Sequence, residues 1–547
     1  MAVDTLEPTA TFPEDWHANV PPGPPLEFDR NHFHFPVSPL FSSTMGPAFA
    51  AGVTAAFQDL QLPMHDVVVA ERNHYLFYRW ATLEPATGPE ASPQWMIERM
   101  MERWQGEHLP RILDHLRRLE ELEIATATPM EIDRHLNEAQ AIHEDLWRIH
   151  MTVTELAMQS VEQFDELYAE LFGEEASGGH DLLVGGLSET VKTGIGLSDL
   201  ATRARELGLA GLLLETAPEA LVSALEGSEA GRAFLGSLSA FLDAFGQRQN
   251  LFEYASPTWR EDPSFALAII RNHLQTGFDA RSEHEAIAGS AETALNAARE
   301  RLAAYPEPVR DQFESMVKLG REGVFLREEH NYYCDQRGTA LLRLFYLKVG
   351  QRFVDTGSFD AAEDVFMLDI AELHRALNDP NGGATSDSLR RLVAERRAEM
   401  AVAATLTPPP ALGETPAPSP AVSDGQEAGI PGGSPGSVED AAGLRGMAGS
   451  KGKVTGIARV ARTLDEAGSL QPGEILVTIS TLPQWAALFS IAVAVVTEIG
   501  GPLSHCAIAA REYGIPAVVG APEATRRIAT GQRITIDGST GIIELHA

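Results

Sequence analysis

The run Thr497–Gly520 holds the residue types whose order is best suited to chemistry. It reads as a strand, a Gly500-Gly501 turn, a helix capped by Ser504, and a further turn and strand. Ser504 as N-cap places His505 in the first helical turn, where free backbone N–H groups and the helix dipole favour an anion. A histidine there is a candidate nucleophile with a stabilised phosphorylated form. The same pattern is also typical of a first-turn histidine with only a structural role.

The elements around this run predict a small α/β domain over residues 441–547. Short β-branched segments, separated by turns rich in glycine, proline and aspartate, predict its strands. These segments are Lys453–Val460, Glu474–Thr478, Val493–Thr497, Ala517–Val519, Arg533–Ile536 and Ile542–Leu545. His505–Tyr513 is predicted to be a helix that Gly514 and Pro516 end.

Residues 28–404 predict a mainly α-helical domain. Apolar residues recur there at three- and four-residue spacing, with charged residues between them. The clearest segments are Trp95–Glu123, Met130–Phe172, Ala217–Phe245 and Ala280–Ala304. Strands do not alternate regularly with these helices, so a pyruvate-binding barrel is not expected.

Two segments have a composition that does not favour a packed core. Residues 405–440 hold eight prolines, six glycines and no Lys or Arg, which predicts a flexible linker. Residues 1–27 are predicted to be an extended N-terminal arm. We therefore expect a multidomain protein in which the linker joins the helical domain to the small α/β domain.

Composition narrows the classes of partner. Among 547 residues, 42 Lys and Arg face 77 Asp and Glu, a formal net charge of −35, which disfavours nucleic acid and anionic membranes as main partners. No apolar stretch reaches the roughly 20 residues that span a bilayer. Two cysteines allow neither a disulfide framework nor a cysteine-rich zinc site, and no metal ligands are predicted. We expect a soluble, cytoplasmic protein.

The run around His505 resembles the mobile phosphohistidine domain of the phosphoenolpyruvate (PEP)-utilising enzymes. The pattern consists of Gly-Gly, Ser-His, an alanine-rich helix, Ala-Arg-Glu, Gly-Ile-Pro-Ala-Val and a later Asp-Gly. The resemblance implies a swivelling domain with His505 as the phosphocarrier. It implies supporting roles for Gly500, Gly501, Ser504 and Arg511.

The helical segment resembles the same family more loosely, and within that family it is most similar to the rifampin phosphotransferases and phenylphosphate synthases. The resemblance is carried by residues 28–40, by Leu182–Leu187, by the stretch from Phe245 to Pro263, and by Glu363–Leu368. It implies that residues 28–404 bind the acceptor of the phosphoryl group, for which a phenolic or similar hydroxyl fits better than pyruvate.

Within these residues we find no segment that resembles an ATP-grasp nucleotide-binding domain. The nearest phosphate-loop pattern, Gly446–Thr455, has Gly452-Lys453 one residue too far along and Val454 in place of Ser or Thr. The resemblance therefore implies that ATP and Mg²⁺ bind a separate ATP-grasp subunit, which loads His505 and yields AMP and phosphate. No tightly bound cofactor is expected on this chain.

The acceptor site would need a base for the hydroxyl and cations for the phosphoryl group. Candidate residues in the helical segment are His32, His34, His74, Lys192, Arg248, Arg337 and Lys348. Each of them is also compatible with a packed or surface role. The aromatic residues Phe33, Phe35, Trp80, Trp95, Trp104 and Trp147 are compatible either with a cover over an aromatic acceptor or with the core.

Two other functions stay open at this point. The chain is also compatible with a stand-alone transferase that takes the phosphoryl group from PEP. It is further compatible with a non-catalytic phosphorelay or scaffold protein that docks partners. The donor that labels the protein, and the presence or absence of a phosphorylated small molecule, distinguish the three.

Overall fold

The computed structural model describes residues 15–18, 20–63, 65–82, 91–173, 178–378, 386–413 and 444–546. They form a helical unit, up to residue 413, and a small α/β unit from residue 444 onward. The predicted pairing of a mainly α-helical domain with a small C-terminal α/β domain is confirmed. Most of the predicted linker, residues 414–440, lies outside the described residues and stays a prediction, as does the arm over residues 1–14.

The helical unit contains the longer helices of the molecule. They are α1 (Pro39–Leu60), α2 (Gln94–Glu98), α3 (Met100–Arg103), α4 (Leu109–Glu121), α5 (Pro129–Phe172), α6 (Glu189–Glu206), α7 (Ala210–Glu215), α8 (Pro218–Glu226), α9 (Glu229–Phe245), α10 (Ser264–Thr276), α11 (Ala280–Arg301), α12 (Glu307–His330), α13 (Gly338–Asp355), α14 (Ile370–Asn378) and α15 (Ser386–Ala403). Single π-helical turns, Trp104–His108 and Asn331–Arg337, join α3 to α4 and α12 to α13.

Helix α5 is the central support of this unit. Thr128 caps its start, and the side chain of Glu131 accepts a hydrogen bond from the Thr128 backbone N–H in return. Leu146, Val153 and Leu156 are buried along its apolar stripe, which packs between α1 and α12. These two contacts set the positions of the helices that carry the site described below.

Helix α1 is the one described helix whose length and composition would suffice to cross a membrane. More than half of its most apolar window is buried against the rest of the chain, and it packs on α5. This is typical of a core helix in a soluble protein. A cytoplasmic location stays a prediction.

A four-stranded sheet in the helical unit was not predicted. Its strands are β1 (Leu26–Phe28), β2 (His65–Arg72), β3 (Tyr75–Thr82) and β4 (Ala411–Leu412), in the order β2-β3-β1-β4. Asn73 and His74 turn the β2–β3 hairpin with φ of 50° and 66°, as a two-residue type I′ turn requires. Here the structure differs from the predicted domain boundaries. Strand β1, at the end of the predicted arm, pairs with β4, which lies within the predicted linker, so both strands belong to the helical unit.

The α/β unit follows the predicted strands to within one residue at nearly every boundary. It contains β5 (Leu444–Arg445), β6 (Met447–Ser450), β7 (Lys453–Val460), β8 (Glu474–Thr478), β9 (Ala494–Thr497), β10 (Ala517–Val519), β11 (Arg533–Asp537) and β12 (Ile542–Leu545), with the short helices α16 (Leu464–Ala467), α17 (His505–Glu512) and α18 (Ala524–Arg527). The sheet order is β5-β12-β11-β7-β8-β9-β10-β6, and β7 to β10 run parallel. Helix α17 starts beyond the carboxyl end of β9, the edge at which open α/β sheets bind ligands.

An apolar cluster joins the two units. It includes Leu197, Leu200, Phe241, Trp259 and Ile270 of the helical unit, and Trp485, Phe489, Ala510 and Tyr513 of the α/β unit. The cluster buries one face of α17. The N-terminal end of that helix, with His505, is thereby directed at the helical unit.

Candidate functional site between the two units

A cavity of about 420 Å³ lies where the first turn of α17 meets the helical unit. Gly500, Ser504 and His505 line it from the α/β side. The facing wall comes from the loop after β1, from α1, β3 and α5, and from the π-helical turn after α12. A volume of this size takes a small organic molecule.

The loop that carries the histidine is held by local contacts. Gly500 has φ of +118°, and a Cβ there would meet the Ser504 Oγ at 2.9 Å, so a side chain would be strained. The Ser504 Oγ accepts from the Ala507 N–H at 3.4 Å, which confirms its place as N-cap. Arg511 donates from Nη2 to the carbonyl of Pro502 at 2.7 Å. These contacts fix the direction of the first helical turn.

His505 contacts the helical unit through its ring. Its Nδ1 lies 2.9 Å from Oε1 of Glu328, and both side chains are almost fully buried. Burial acts to raise the pKa of Glu328, but the contact with His505 and the charge of Arg327 outweigh it and lower that pKa. The carboxylate is therefore ionised and His505 donates from Nδ1. A neutral ring then has its lone pair on Nε2, which is buried and has no partner among the described residues.

Positively charged side chains line the same cavity as His505. Arg327 lines the cavity, and its Nη1 is buried without a hydrogen-bond partner in the described part of the chain. Arg30 also lines the cavity and pairs with Glu498 of the α/β unit at 2.9 Å. His32 donates from Nδ1 to Asp29 at 3.0 Å; burial acts to lower the pKa of His32, and Asp29 outweighs it and raises that pKa. An anionic group in this cavity could be compensated by the guanidinium groups of Arg30 and Arg327.

A carboxyl group with an altered pKa also lines the cavity. Burial raises the pKa of Glu155 to about 7, the like charge of Glu162 adds to this, and Arg327 opposes it. A carboxyl with this pKa can accept or release a proton near neutral pH. Glu155 therefore has the chemistry of a general base.

A cluster of two imidazoles and one carboxylate occupies the same wall. His150 donates from Nδ1 to Asp335 at 2.8 Å, and the rings of His150 and His330 are 4.6 Å apart. Thr154 lies 3.0 Å from Nε2 of His330. Burial, followed by the neighbouring His150, lowers the pKa of His330 to about 3, so that ring is neutral.

Aromatic rings form much of the remaining wall. Phe33 stacks on Phe252 at 5.8 Å, and Phe49 meets Trp147 edge-on at 4.9 Å. Trp80 completes this wall. Of the aromatic residues singled out in the sequence, Phe33, Trp80 and Trp147 line the cavity, Trp104 is buried in the core, and Trp95 is half exposed. The wall is suited to the face of a planar organic molecule.

The structure brings some of the sequence candidates together. His505, Ser504, Gly500 and His32 line the cavity. His34 lies outside it and contacts the carbonyl of Arg462 across the interface at 2.7 Å. His74 is in the β2–β3 turn, where burial lowers its pKa to about 4. Neither His34 nor His74 is placed to act as the acceptor base, because neither lines the cavity.

The candidate cations Lys192, Arg248, Arg337 and Lys348 also lie outside the cavity lining. Lys192 pairs with Glu189 at 2.7 Å, and Arg337 donates to Gln247 at 2.7 Å. The guanidinium of Arg248 lies over the ring of Tyr332 at 4.6 Å. Lys348 donates to the carbonyl of Glu120 at 2.8 Å. Each of these side chains has a partner that explains its position.

Sequence reasoning did not single out Arg327, Glu328 or Glu155. Arg327 and Glu328 belong to a run of charged residues, Arg327–His330, at the end of an otherwise apolar helical stripe. Such a run is usually a solvated face. The signal that could have found them is the apolar run Val324–Leu326 directly before them and the shorter run Tyr332–Cys334 after them, which together predict a buried part of the helix.

Comparison with known proteins gives matches in both units. The PEP-utilising enzyme mobile domain matches residues 470–541, a range that contains α17 and His505. The fourth domain of rifampicin phosphotransferase matches residues 150–328, from His150 to Glu328. The resemblance to the PEP-utilising enzymes is confirmed.

Individual proteins match more of the chain. Chondramide synthase of Chondromyces crocatus is 34% identical over 466 residues, which are 83% of this chain and 12% of that protein. An uncharacterised phosphotransferase of Bacillus subtilis is 29% identical over 521 residues, or 93% of this chain and 60% of the relative. Rifampicin phosphotransferase of Streptomyces sviceus is 34% identical over 315 residues, or 56% of this chain and 34% of the relative. The chain thus spans less than two thirds of the length of each of these relatives.

Proposed function

We propose that the chain is the phosphohistidine and acceptor part of a phosphotransferase, which transfers a phosphoryl group from His505 to the hydroxyl of a phenolic or similar small molecule. One observation carries the proposal. Glu328 of the helical unit holds Nδ1 of His505, and the free Nε2 is buried beside a cavity with an aromatic wall. The phosphotransferases of Bacillus subtilis and Streptomyces sviceus among the relatives support the reaction class.

The contacts suggest how the transfer step proceeds. The phosphoryl group is bonded to Nε2, and the proton that Glu328 keeps on Nδ1 makes the ring a good leaving group. The acceptor oxygen forms its bond to phosphorus as the Nε2–P bond breaks, and His505 leaves as a neutral imidazole. The hydroxyl proton goes to the carboxylate of Glu155. Arg327 neutralises the charge on the phosphoryl oxygens.

Loading of His505 requires a different arrangement of the two units. Because Nε2 is buried in the interface, a nucleotide cannot approach it while the units are packed together. We propose that the α/β unit leaves the helical unit on the 405–440 segment and is loaded by a separate ATP-grasp subunit. That subunit would bind ATP and Mg²⁺ and release AMP and phosphate, as the family resemblance implies.

A donor test on the purified chain examines this function. The chain is incubated with Mg²⁺ and either ATP or PEP, and the ATP arm is repeated with an added ATP-grasp partner. Mass spectrometry at neutral or alkaline pH then locates the phosphate, and a panel of phenols is searched for phosphorylated product. We expect label on His505 with ATP and partner, and its transfer to a phenol.

The alternatives give other results in the same test. Label from PEP alone would favour the stand-alone transferase. Label without any small-molecule product from cell extracts or the phenol panel would favour a phosphorelay or scaffold protein. The absence of label under every condition would contradict the proposal.

A further inference from the structure

The transfer scheme above gives no role to the cluster of His150, His330 and Asp335. Each residue offers one ligand atom, and these atoms lie within 4.8 Å of one another. His150 comes from the middle of α5, whereas His330 and Asp335 come from the junction of α12 with the π-helical turn. All three residues line the cavity that His505 enters.

The π-helical turn explains why His330 and Asp335 face the same point. In an α-helix of 3.6 residues per turn, two side chains that are five residues apart point in directions that differ by about 140°. A π-helix closes hydrogen bonds from i to i+5, so residues five apart lie nearly one above the other. Residues 331–337 adopt this geometry. Such turns are rare and are frequent at functional sites.

The hydrogen bonds around the cluster prepare it for an ion. His330 donates from Nδ1 to the carbonyl of Leu326 at 2.7 Å, so the lone pair is on Nε2, where it accepts from the Thr154 hydroxyl at 3.0 Å and where an ion would take the place of that hydroxyl. Metal-binding histidines commonly fix their tautomer through such a bond to a backbone carbonyl. His150 donates from Nδ1 to the Asp335 carboxylate across 2.8 Å, and an ion bound by both groups would replace that proton.

We propose that His150, His330 and Asp335 bind a divalent transition-metal ion of the Zn²⁺ class, with an open coordination position toward the cavity. Two imidazoles and a carboxylate with one free position are the donor set of catalytic zinc sites. Mg²⁺ prefers oxygen ligands and is not expected here.

The role of the ion rests on the proposed function. In that role it holds the acceptor oxygen in the cavity and lowers the pKa of its hydroxyl, so that Glu155 takes up the proton more easily. The acceptor oxygen would thereby be positioned for attack on the phosphoryl group of His505.

Metal uptake by the full chain tests the site without relying on activity. The protein is treated with chelator and dialysed against graded Zn²⁺ in excess Mg²⁺, and bound zinc is measured by elemental analysis. Co²⁺ serves as a second probe, since its visible absorption reports an ordered coordination sphere. We expect one ion per chain.

Asp335→Asn removes the anionic ligand and keeps the side-chain shape. We expect its zinc affinity to fall by at least about 100-fold, because even outer partners of metal ligands change affinity by 10- to 100-fold. Asp165→Asn is the matched control. Asp165 is also the partner of a histidine, His180 at 2.9 Å, but it lies outside the cluster and the cavity lining. Its zinc binding should equal that of the unchanged chain.

The site is overturned if the unchanged chain takes up no zinc, or if both variants bind zinc equally well. If Asp335→Asn fails to fold, as judged by circular dichroism, His150→Gln replaces it with the same expectation. His505→Gln should bind zinc normally while transfer is lost. If the unchanged chain binds zinc but transfers no phosphoryl group, the proposed function alone is overturned. Zinc-free protein that transfers at the normal rate overturns the role of the ion.

Discussion

The two walls of the cavity are built in different ways. The wall from the α/β unit comes from residues 480–506, and its reactive part is the short segment from Gly500 to Cys506. The wall from the helical unit combines segments between residues 27 and 336, together with Pro410. The first presents small residues and one histidine, whereas the second presents aromatic rings and charged groups.

This difference separates two tasks. A short segment at the start of one helix suffices to carry a phosphoryl group, since glycine, the N-cap and the first-turn histidine act locally. Recognition of an acceptor needs a surface with a defined shape, which only the packing of distant elements provides. We therefore expect the carrier wall to tolerate a change of acceptor, and the helical wall to determine which acceptor is used.

Removal of the carrier nitrogen should have the largest effect. His505→Gln removes the proposed phosphocarrier, so we expect label on the α/β unit to disappear and transfer to fall by at least about 10⁴-fold. His546→Gln in the same unit is the control, because His546 contacts Thr535 and does not line the cavity. Mass spectrometry of the intact chain measures the label. Normal transfer by the His505 variant would mean that the carrier wall is not where the reaction takes place.

Arg327→Met should affect the two steps unequally. The substitution removes the buried guanidinium from the helical wall, so transfer from labelled His505 should slow by about 10²–10³-fold. Loading should be unchanged, because we propose that it occurs when the units are apart. A chase of labelled chain with acceptor measures transfer, and Arg337→Met, whose guanidinium donates to Gln247 outside the cavity lining, is the control. Equal losses in loading and transfer would contradict the division between the walls.

The contrast between the walls also explains what sequence reasoning could reach. Six of the eight described strands of the α/β unit, the N-cap Ser504 and the helix at His505 follow from local patterns, since turns and caps depend on neighbouring residues; β5 and β6 were not predicted. The family pattern lies in the same short run. The described structure therefore agrees with the predictions closely in this unit.

The helical wall could not be predicted in the same way. Glu328 lies 177 residues before His505 in the chain, and the pair exists only because the α/β unit packs on the helical unit. The candidate bases and cations there were chosen by residue type, and of these His32 alone lines the cavity. The hairpin at residues 65–82 was also missed, although Asn73-His74 between β-branched and aromatic residues favours such a turn.

The pH dependence of transfer should identify the base. The pKa of Glu155 is raised to about 7, so the residue is largely protonated below this pH and cannot accept the hydroxyl proton. Transfer should therefore increase as the pH rises through about 7 and level off above it. Glu155→Gln should remove this increase and slow transfer by about 10²-fold.

Glu162 is the control for this profile, because it adds to the raised pKa of Glu155 without lining the cavity. Glu162→Gln should move the increase to a slightly lower pH and leave the rate at the plateau unchanged. A profile that is the same in the Glu155 variant and in the unchanged chain would assign the proton to another group on the helical wall.

The smallest effect should come from the ion pair that joins the two walls. Arg30 is half exposed and lies 2.9 Å from the buried Glu498, whose other oxygen accepts from the Thr525 backbone N–H at 2.9 Å. The half-exposed guanidinium keeps the pair partly solvated, so we expect it to contribute about 1 kcal/mol or less, and Glu498→Gln should weaken docking by less than about sixfold. The apparent KM for the acceptor should rise by a similar factor, with kcat unchanged, and high salt should reduce the difference.

Arg30→Ala separates two contributions of the same residue. If Arg30 only joins the walls, Arg30→Ala should weaken docking by the same factor as Glu498→Gln. Arg30 also lines the cavity, however, and a contact with the phosphoryl group would lower kcat as well. Arg459→Ala, which breaks a pair with Glu474 inside the α/β unit, is the control for a general effect of lost charge. A fall in kcat for Arg30→Ala alone would place the phosphoryl group between Arg30 and Arg327, and equal effects would leave Arg327 as the cation that acts on it.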